Sequence, residues 1–380
     1  MSERKRVLIV SFSDIKRDPR VFRQVKHLSS NYDVITAGLG DSGLANVPHV
    51  PVREIGKGMA KKARRALHLK TREFIAYYEA TFDAGAVRER LEQERFDLVL
   101  ANDSDSLPLV FSWDHGAPVI HDAHEYAPRQ IEDRWQWKFL MQEYMEWICA
   151  TYLPKCAAVT TVSQGIAEAY SSGFGVKPLV ITNAPDYVEL EPSPVSDGRI
   201  RLVHTGNANP SRRVERYLEL MDILDERFSL DLYLMPRDPR YLETIKDQAR
   251  LRPRTRVMEP VPMQDLVKVC NGYDVGIFFQ EPLNFNLEHS LPNKFFEFVQ
   301  ARLAIAITPL PEMSAYVREF DLGIIGADFS VPGMAKQLMG LDRAGIEHYK
   351  KQASKAARAL SSEANMRLLD SLVAESMARA

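Results

Sequence analysis

Short apolar runs that do not alternate with polar residues recur along this chain, and most are followed by a stretch with helical periodicity. RVLIVSFS (6–13), YDVITAG (32–38), FDLVLAND (96–103), APVIHDAHE (117–125), AAVTTVS (157–163) and PLVITNAP (178–185) form a first series of strands predicted to be buried on both faces. Helical patterns intervene at 18–30, 84–95 and 135–153. Strand and helix alternating through short connections predict a parallel sheet in βαβ topology. A stretch rich in Pro, Ser and acidic residues, DYVELEPSPVSDGR (186–199), reads as a linker. The alternation then restarts with strands at 200–207, 230–236, 256–261, 273–280 and 303–308, and helices near 214–226, 239–250 and 292–303. At 380 residues the chain is long enough for two domains.

The expected architecture is therefore α/β, with two Rossmann-like domains facing one another across a crevice. The first would span 1–190 and the second 199–360. A last helix in 361–380 carries the stripe Met366, Leu368, Leu369, Leu372 and Val373, and is expected to pack back on the first domain. Open α/β sheets bind ligands at the carboxyl ends of their strands, so the residues there carry the functional reading.

Composition excludes several classes. Lys and Arg number 49 against 51 Asp and Glu, a net charge of −2, which gives no footprint for nucleic acid. Cys149, Cys156 and Cys270 are odd in number and lack metal or redox spacing, as expected of inert thiols in a reducing cytoplasm. The opening apolar run, Val7 to Val10, is too short for a signal peptide, and no stretch reaches the roughly 20 apolar residues of a membrane span.

Three strand ends gather polar residues. In HTGNANPSRR (204–213), Gly206 permits a tight turn, Asn207 is polar, and Arg212 and Arg213 offer guanidinium forks to phosphate; a plain loop with solvated arginines is the alternative. In SLPNKFFEFVQ (290–300), the backbone N–H groups near Pro292, Asn293 and Lys294 would open a helix and favour an anion. Glu297 stands among phenylalanines five residues beyond Pro292, about 7–8 Å along the axis at 1.5 Å per residue. That matches the distance from a diphosphate to the ribose of one nucleotide, although a solvated Glu, or one paired with Lys294 or Arg302, fits the position equally well. In the first half, NDSDS (102–106) and HDAHE (121–125) place Asp103, Asp105, His121, Asp122, His124 and Glu125 at strand ends. Their spacing is not that of a helical zinc site, and a hydrogen-bonding lip for a sugar suits them better than a metal.

In order and spacing these segments, with VLIVSFSDIKRDPRVFRQVKHLS, AAVTTVSQGIAE, ITNAPD and YDVGIFF, resemble GT-B glycosyltransferases, and most of all the retaining nucleotide-sugar transferases of glycosyltransferase family four. The resemblance implies that Glu297 grips the donor ribose, that Arg212 or Arg213 meets the diphosphate, and that His124 lies beside the donor sugar. The family carries an earlier glutamate near the sugar; at that spacing stands His289, with Glu288 adjacent, so either is a candidate for the role. The family's Gly-rich first loop is missing, since SFSDIKRDPR has no glycine.

The resemblance implies hexose transfer from a UDP or GDP type donor to a glycan or lipid-linked acceptor, with retention and with no metal or other cofactor. Polysaccharide, lipopolysaccharide or other glycoconjugate synthesis is the expected setting. An epimerase acting on nucleotide sugars, or a non-catalytic sugar-binding relative, would use the same architecture. Finally, KGMAKKARRALHLKTR (57–72) has seven Lys and Arg and no acidic residue. It reads as a solvated helix face or as a contact with the anionic inner face of the plasma membrane, making a cytoplasmic protein peripheral.

Overall fold

The computed structural model describes residues 4–56, 58–195 and 198–379. Lys57 of the basic stretch, Ser196 and Asp197 of the expected linker, and the terminal residues 1–3 and 380 lie outside them. The chain divides into two compact units. The first holds the chain up to Thr182, Asn284–Asn286 and the chain from Asn365 on; the second holds Asn183–Leu283 and Leu287–Ala364.

The first unit is built on a seven-stranded parallel sheet. Its strands are β1 (Arg6–Asp14), β2 (Asp33–Leu39), β3 (His49–Pro51), β4 (Leu98–Asn102), β5 (Val119–Ala123), β6 (Ala158–Thr161) and β7 (Leu179–Val180), ordered 3-2-1-4-5-6-7. All five residues of β4 and of β5 are buried; β4 is apolar up to Asn102, whereas β5 carries His121 and Asp122 inside the fold. The second unit has a six-stranded parallel sheet: β8 (Ile200–Asn207), β9 (Phe228–Met235), β10 (Thr255–Met258), β11 (Val275–Phe278), β12 (Ala304–Ile307) and β13 (Gly323–Ile325), ordered 10-9-8-11-12-13. Both units are Rossmann-like. In each the strand order reverses beside its first strand, between β1 and β4 and between β8 and β11, and these are the points where such sheets open a crevice.

Helix starts follow local chemistry. Asp18 caps Pro19–Asn31 by accepting from Arg20 N at 3.1 Å and Val21 N at 3.3 Å, with proline in the first position. Asp238 caps Pro239–Arg250 in the same way. The C-terminal helix runs Ser362–Arg379; Met366, Leu369 and Val373 are buried in a cluster with Val7, Ile9 and Val25, whereas Leu368 is 43% exposed.

Several segments differ from their sequence pattern. The helix expected over 135–153 breaks at Met141 into Trp135–Leu140 and Gln142–Tyr152. The strand expected over 178–185 shortens to two residues of an edge strand. The segment expected as a linker packs on the second unit. Val195 is buried in one of its cores, Tyr187, Val188 and Leu190 pack against another, Arg302 Nη2 donates to Val188 O at 2.8 Å, and Ser193 Oγ donates to Asn271 O at 2.5 Å. Prolines keep that segment extended, and its backbone carbonyls find donors on the unit's surface.

Candidate active site

In the second unit, the ends of β8 and β11 and the first turn of the helix Asn293–Gln300 enclose a cavity of about 390 Å³. Thr205, Gly206 and Asn207 come from the end of β8, and Phe278 and Gln280 from the end of β11 and beyond it. Pro292, Asn293 and Lys294 bring the helix start, whose first N–H groups have no acceptor within the helix. Glu297 lines the cavity one turn further on, while Phe295, Phe296 and Phe298 of the same helix are buried in the core. The carboxylate among phenylalanines thus stands on the polar side of an otherwise apolar helix. At the far side, Tyr233, Met235, Val261 and Leu266 make an apolar wall.

Lys294 is the centre of charge here. Its Nζ donates to Thr205 O at 3.0 Å and lies 4.7 Å from the Phe278 ring centroid. A Cβ at position 206 would come within 3.0 Å of that Nζ and 3.1 Å of His204 Nε2, so glycine makes room for the ammonium. Burial, then Arg212, push the Lys294 pKa down to about 8, against the opposing pull of Glu297. Arg212 lines this cavity and a neighbouring niche of about 30 Å³. Arg213 is turned away: its Nη1 pairs with Glu281 Oε2 at 2.7 Å, and Arg216 takes the other oxygen at 3.0 Å. Of the two arginines read as phosphate ligands, Arg212 alone reaches the larger cavity. Leu287 and Ser290 also line it. Glu288 is exposed, and His289 Nδ1 lies 3.1 Å from Glu312 Oε1.

In the first unit, the polar residues divide into a buried set and an accessible one. His121 and Asp122 form no lip: as neighbours on β5 they point to opposite faces of the sheet, and both are buried. His121 Nδ1 meets Ala101 O at 3.0 Å, and burial pushes its pKa down to about 4, leaving it neutral. Asp122 accepts from Arg20 Nη2 at 2.6 Å and Nε at 2.7 Å, from Gln24 Nε2 at 2.5 Å and from Thr160 Oγ1 at 2.6 Å. Burial alone would raise its pKa, but Arg20 and His124 hold it well below the usual carboxylate range.

The accessible set surrounds His124, which lies 3.4 Å from Asp103 on one nitrogen and 3.4 Å from Asp122 on the other. Burial lowers the His124 pKa, yet Asp103 and Asp122 outweigh it and hold it at about 9, so the ring is an imidazolium at neutral pH. Asp103 adopts φ 57° and ψ 152°, a region strained for any residue but glycine. Such strain is kept where the surroundings impose it, and here it lies at the strand end facing His124. Burial, then Asp103, push the Asp105 pKa up to about 7. Glu125 is exposed.

Arg20, Gln24, Glu281 and Glu312 escaped the sequence reading. Arg20 lies 102 positions from its partner Asp122, and nothing in DPRVFRQ distinguishes it from a solvated helix arginine.

Residues 64–188, about a third of the chain, match the family model described as Glycosyltransferase Family 4. No curated protein sequence matches the chain. Among solved structures, sucrose-phosphate synthase from Thermosynechococcus elongatus is similar at 12% identity and a TM-score of 0.72, covering 99% of this chain and 100% of that one. The α,α-trehalose 6-phosphate synthase of Burkholderia multivorans is similar at 10% identity and a TM-score of 0.69, with the same coverage. Anabaena Alr3699/HepE, solved with UDP and glucose, is similar at 11% identity and 0.65, covering 97% and 100%. The fold that these structures share with the chain is the GT-B architecture, and over 64–188 the chain is similar to Glycosyltransferase Family 4.

Proposed function

We propose that the chain transfers a hexose from a UDP or GDP type donor to a glycan or lipid-linked acceptor, with retention of configuration, in the cytoplasm and at the inner face of the membrane. Polysaccharide or other glycoconjugate synthesis is the setting that this reading favours. The observation that carries it is the second unit's cavity, where Glu297 stands one turn beyond a helix start flanked by Lys294 and Arg212. A diphosphate at the helix start would meet free N–H groups, an ammonium and a guanidinium. The ribose would then fall opposite the Glu297 carboxylate, which accepts from both hydroxyls, and the base against the apolar wall of Val261 and Leu266. The solved neighbour bound to UDP and glucose supports a uridine nucleotide.

In the transfer, the bond from sugar C1 to the diphosphate oxygen breaks and a bond from C1 to the acceptor oxygen forms. The acceptor's proton passes to the leaving diphosphate. Lys294, Arg212 and the helix start stabilise the charge that develops there, so the reading gives no task to a metal. His124, an imidazolium whose two N–H groups face Asp103 and Asp122, would lie beside the sugar and hold the Asp103 carboxylate to accept from a sugar hydroxyl.

Calorimetric titration with UDP and GDP tests the reading. One nucleotide should bind, and Glu297→Gln should weaken it by roughly ten- to a hundredfold, the loss of one or two charge-assisted hydrogen bonds. His124→Ala should lower turnover while leaving nucleotide affinity unchanged. Equal affinities for wild type and Glu297→Gln would overturn the donor-site assignment. Release of nucleotide from its sugar without any acceptor dependence, or epimerisation of the sugar, would overturn transfer.

A further inference from the structure

The helix Met59–Lys70 is tied to the first unit by a narrow inner edge. Leu69 is buried, and Arg65 Nε donates to Ala80 O at 2.9 Å. The rest of it faces outward. Met59 is 89% and Leu67 57% exposed, with Lys61, Lys62, Arg64 and Lys70 exposed around them, and no acidic residue occurs from Gly58 to Arg72. The short helix Trp135–Leu140 packs beside it. Trp135 is 72% and Phe139 78% exposed; four positions apart, they share one face, and the exposed Lys138 follows on the same helix. Two nearby carboxylates are already engaged: Glu143 pairs with Arg72 at 2.7 Å and Glu132 with Arg129 at 2.6 Å.

A surface that combines large apolar groups with lysines is unlike a protein-docking patch, from which lysine is depleted. It is the composition of an interfacial membrane contact, where aromatic rings sit at headgroup depth and basic side chains meet lipid phosphates. Among the described residues no helix is long and apolar enough to cross a membrane, so such a contact would be peripheral. We propose that the helices Met59–Lys70 and Trp135–Leu140 form a docking face for an anionic lipid bilayer, with Trp135, Phe139, Met59 and Leu67 entering the headgroup layer and Lys61, Lys62 and Lys70 contacting phosphates. The proposal names the surface behind the membrane setting in the proposed function, and lipid contact is measurable without donor or acceptor.

Sedimentation with vesicles tests it, using phosphatidylcholine alone or mixed in equal parts with phosphatidylglycerol. The full chain should sediment with the anionic vesicles, remain in solution with the neutral ones, and be released by high salt. The pair Lys61→Glu and Lys62→Glu, and separately the pair Trp135→Ser and Phe139→Ser, should each lower partitioning about tenfold or more. All four side chains are exposed, so both variants should keep the wild-type circular dichroism and nucleotide affinity. No sedimentation of wild type with anionic vesicles, or equal sedimentation of all three proteins, would overturn the proposal. So would a dimer in light scattering that dissolves in the Trp135→Ser and Phe139→Ser variant, since a second copy would then own the face. A chain that sediments as expected but binds no nucleoside diphosphate would overturn the proposed function alone.

Discussion

The Arg20 guanidinium faces the Asp122 carboxylate edge to edge, with Nη2–Oδ1 at 2.6 Å and Nε–Oδ2 at 2.7 Å, and both side chains are more than nine-tenths buried. The pair joins the helix Pro19–Asn31 to β5, and Arg20 Nη1 adds a bond to Ile181 O at 2.8 Å. It also fixes the carboxylate on which His124 rests. Removing one partner strands the other charge in a dry interior. Arg20→Met is therefore expected to cost about 3–5 kcal/mol, far more than a surface pair would. Adding Asp122→Leu should recover part of that loss. Urea unfolding of the single and double variants measures both steps, and an additive double variant would mean that the pair contributes nothing as a pair.

Asp105 gives a pH-dependent prediction with a definite sign. Its carboxyl pKa is near 7 in the folded chain and near 3.8 unfolded, because burial and Asp103 disfavour its charge. The folded state then holds more protons between those values, so this residue's contribution to stability is fully present below pH about 4 and is lost as pH rises through 7. Asp105→Asn should remove that slope and stabilise the protein at pH 8, by at most about 4 kcal/mol at 1.36 kcal/mol per unit. Thermal unfolding of both proteins at pH 5 and pH 8 checks it. An equal shift for wild type and variant would mean that Asp105 titrates normally.

The architecture was legible because fully buried parallel strands cannot hide: β11 and β12 carry no polar side chain, β4 departs from an apolar run only at Asn102, and all three are buried throughout. Two edge strands, β3 and β13, were not legible, since they have three residues each and no periodicity. The cavity-lining residues Gly206, Asn207, Arg212, Pro292, Asn293, Lys294 and Glu297 stood out because glycine, polar groups and a helix start recur together at strand ends. What sequence could not show is which charges cancel. Arg212 and Arg213 are adjacent and identical, yet a left-handed turn at Arg213 (φ 47°) and Glu281, 68 positions away, set their different fates. His289 likewise finds Glu312 only through the fold.

Gly206 and Lys294 should act as one unit. An alanine methyl at 206 would crowd the ammonium at 3.0 Å and the His204 ring at 3.1 Å, and the flexible lysine is the partner able to yield. Gly206→Ala is therefore expected to displace Lys294 from Thr205 O and weaken nucleoside diphosphate binding about tenfold, near 1.4 kcal/mol. Lys294→Ala should cost as much or more. Because both act through the same ammonium, the double variant should bind about as weakly as Lys294→Ala alone. Titration calorimetry on the four proteins closes the cycle, and simple additivity would show that Gly206 serves the backbone and not the lysine.

The Lys294 pKa near 8 makes nucleotide affinity itself pH-dependent. Only the ammonium attracts a diphosphate, and burial together with Arg212 leaves it partly deprotonated just above neutrality. A bound diphosphate would supply the opposite charge and raise that pKa, so binding should take up a proton once the free enzyme has lost it. Affinity for the preferred nucleotide should accordingly be flat from pH 6.5 to 7.5 and fall as pH rises through 8, approaching tenfold per pH unit at the steepest. Lys294→Arg keeps its charge throughout, since a guanidinium does not deprotonate in this range, and should abolish the fall even where its different reach lowers affinity overall. Calorimetry in buffers of different ionisation enthalpy reads the proton uptake directly. A wild type whose affinity and proton count stay constant from pH 7 to 9 would place the diphosphate away from Lys294.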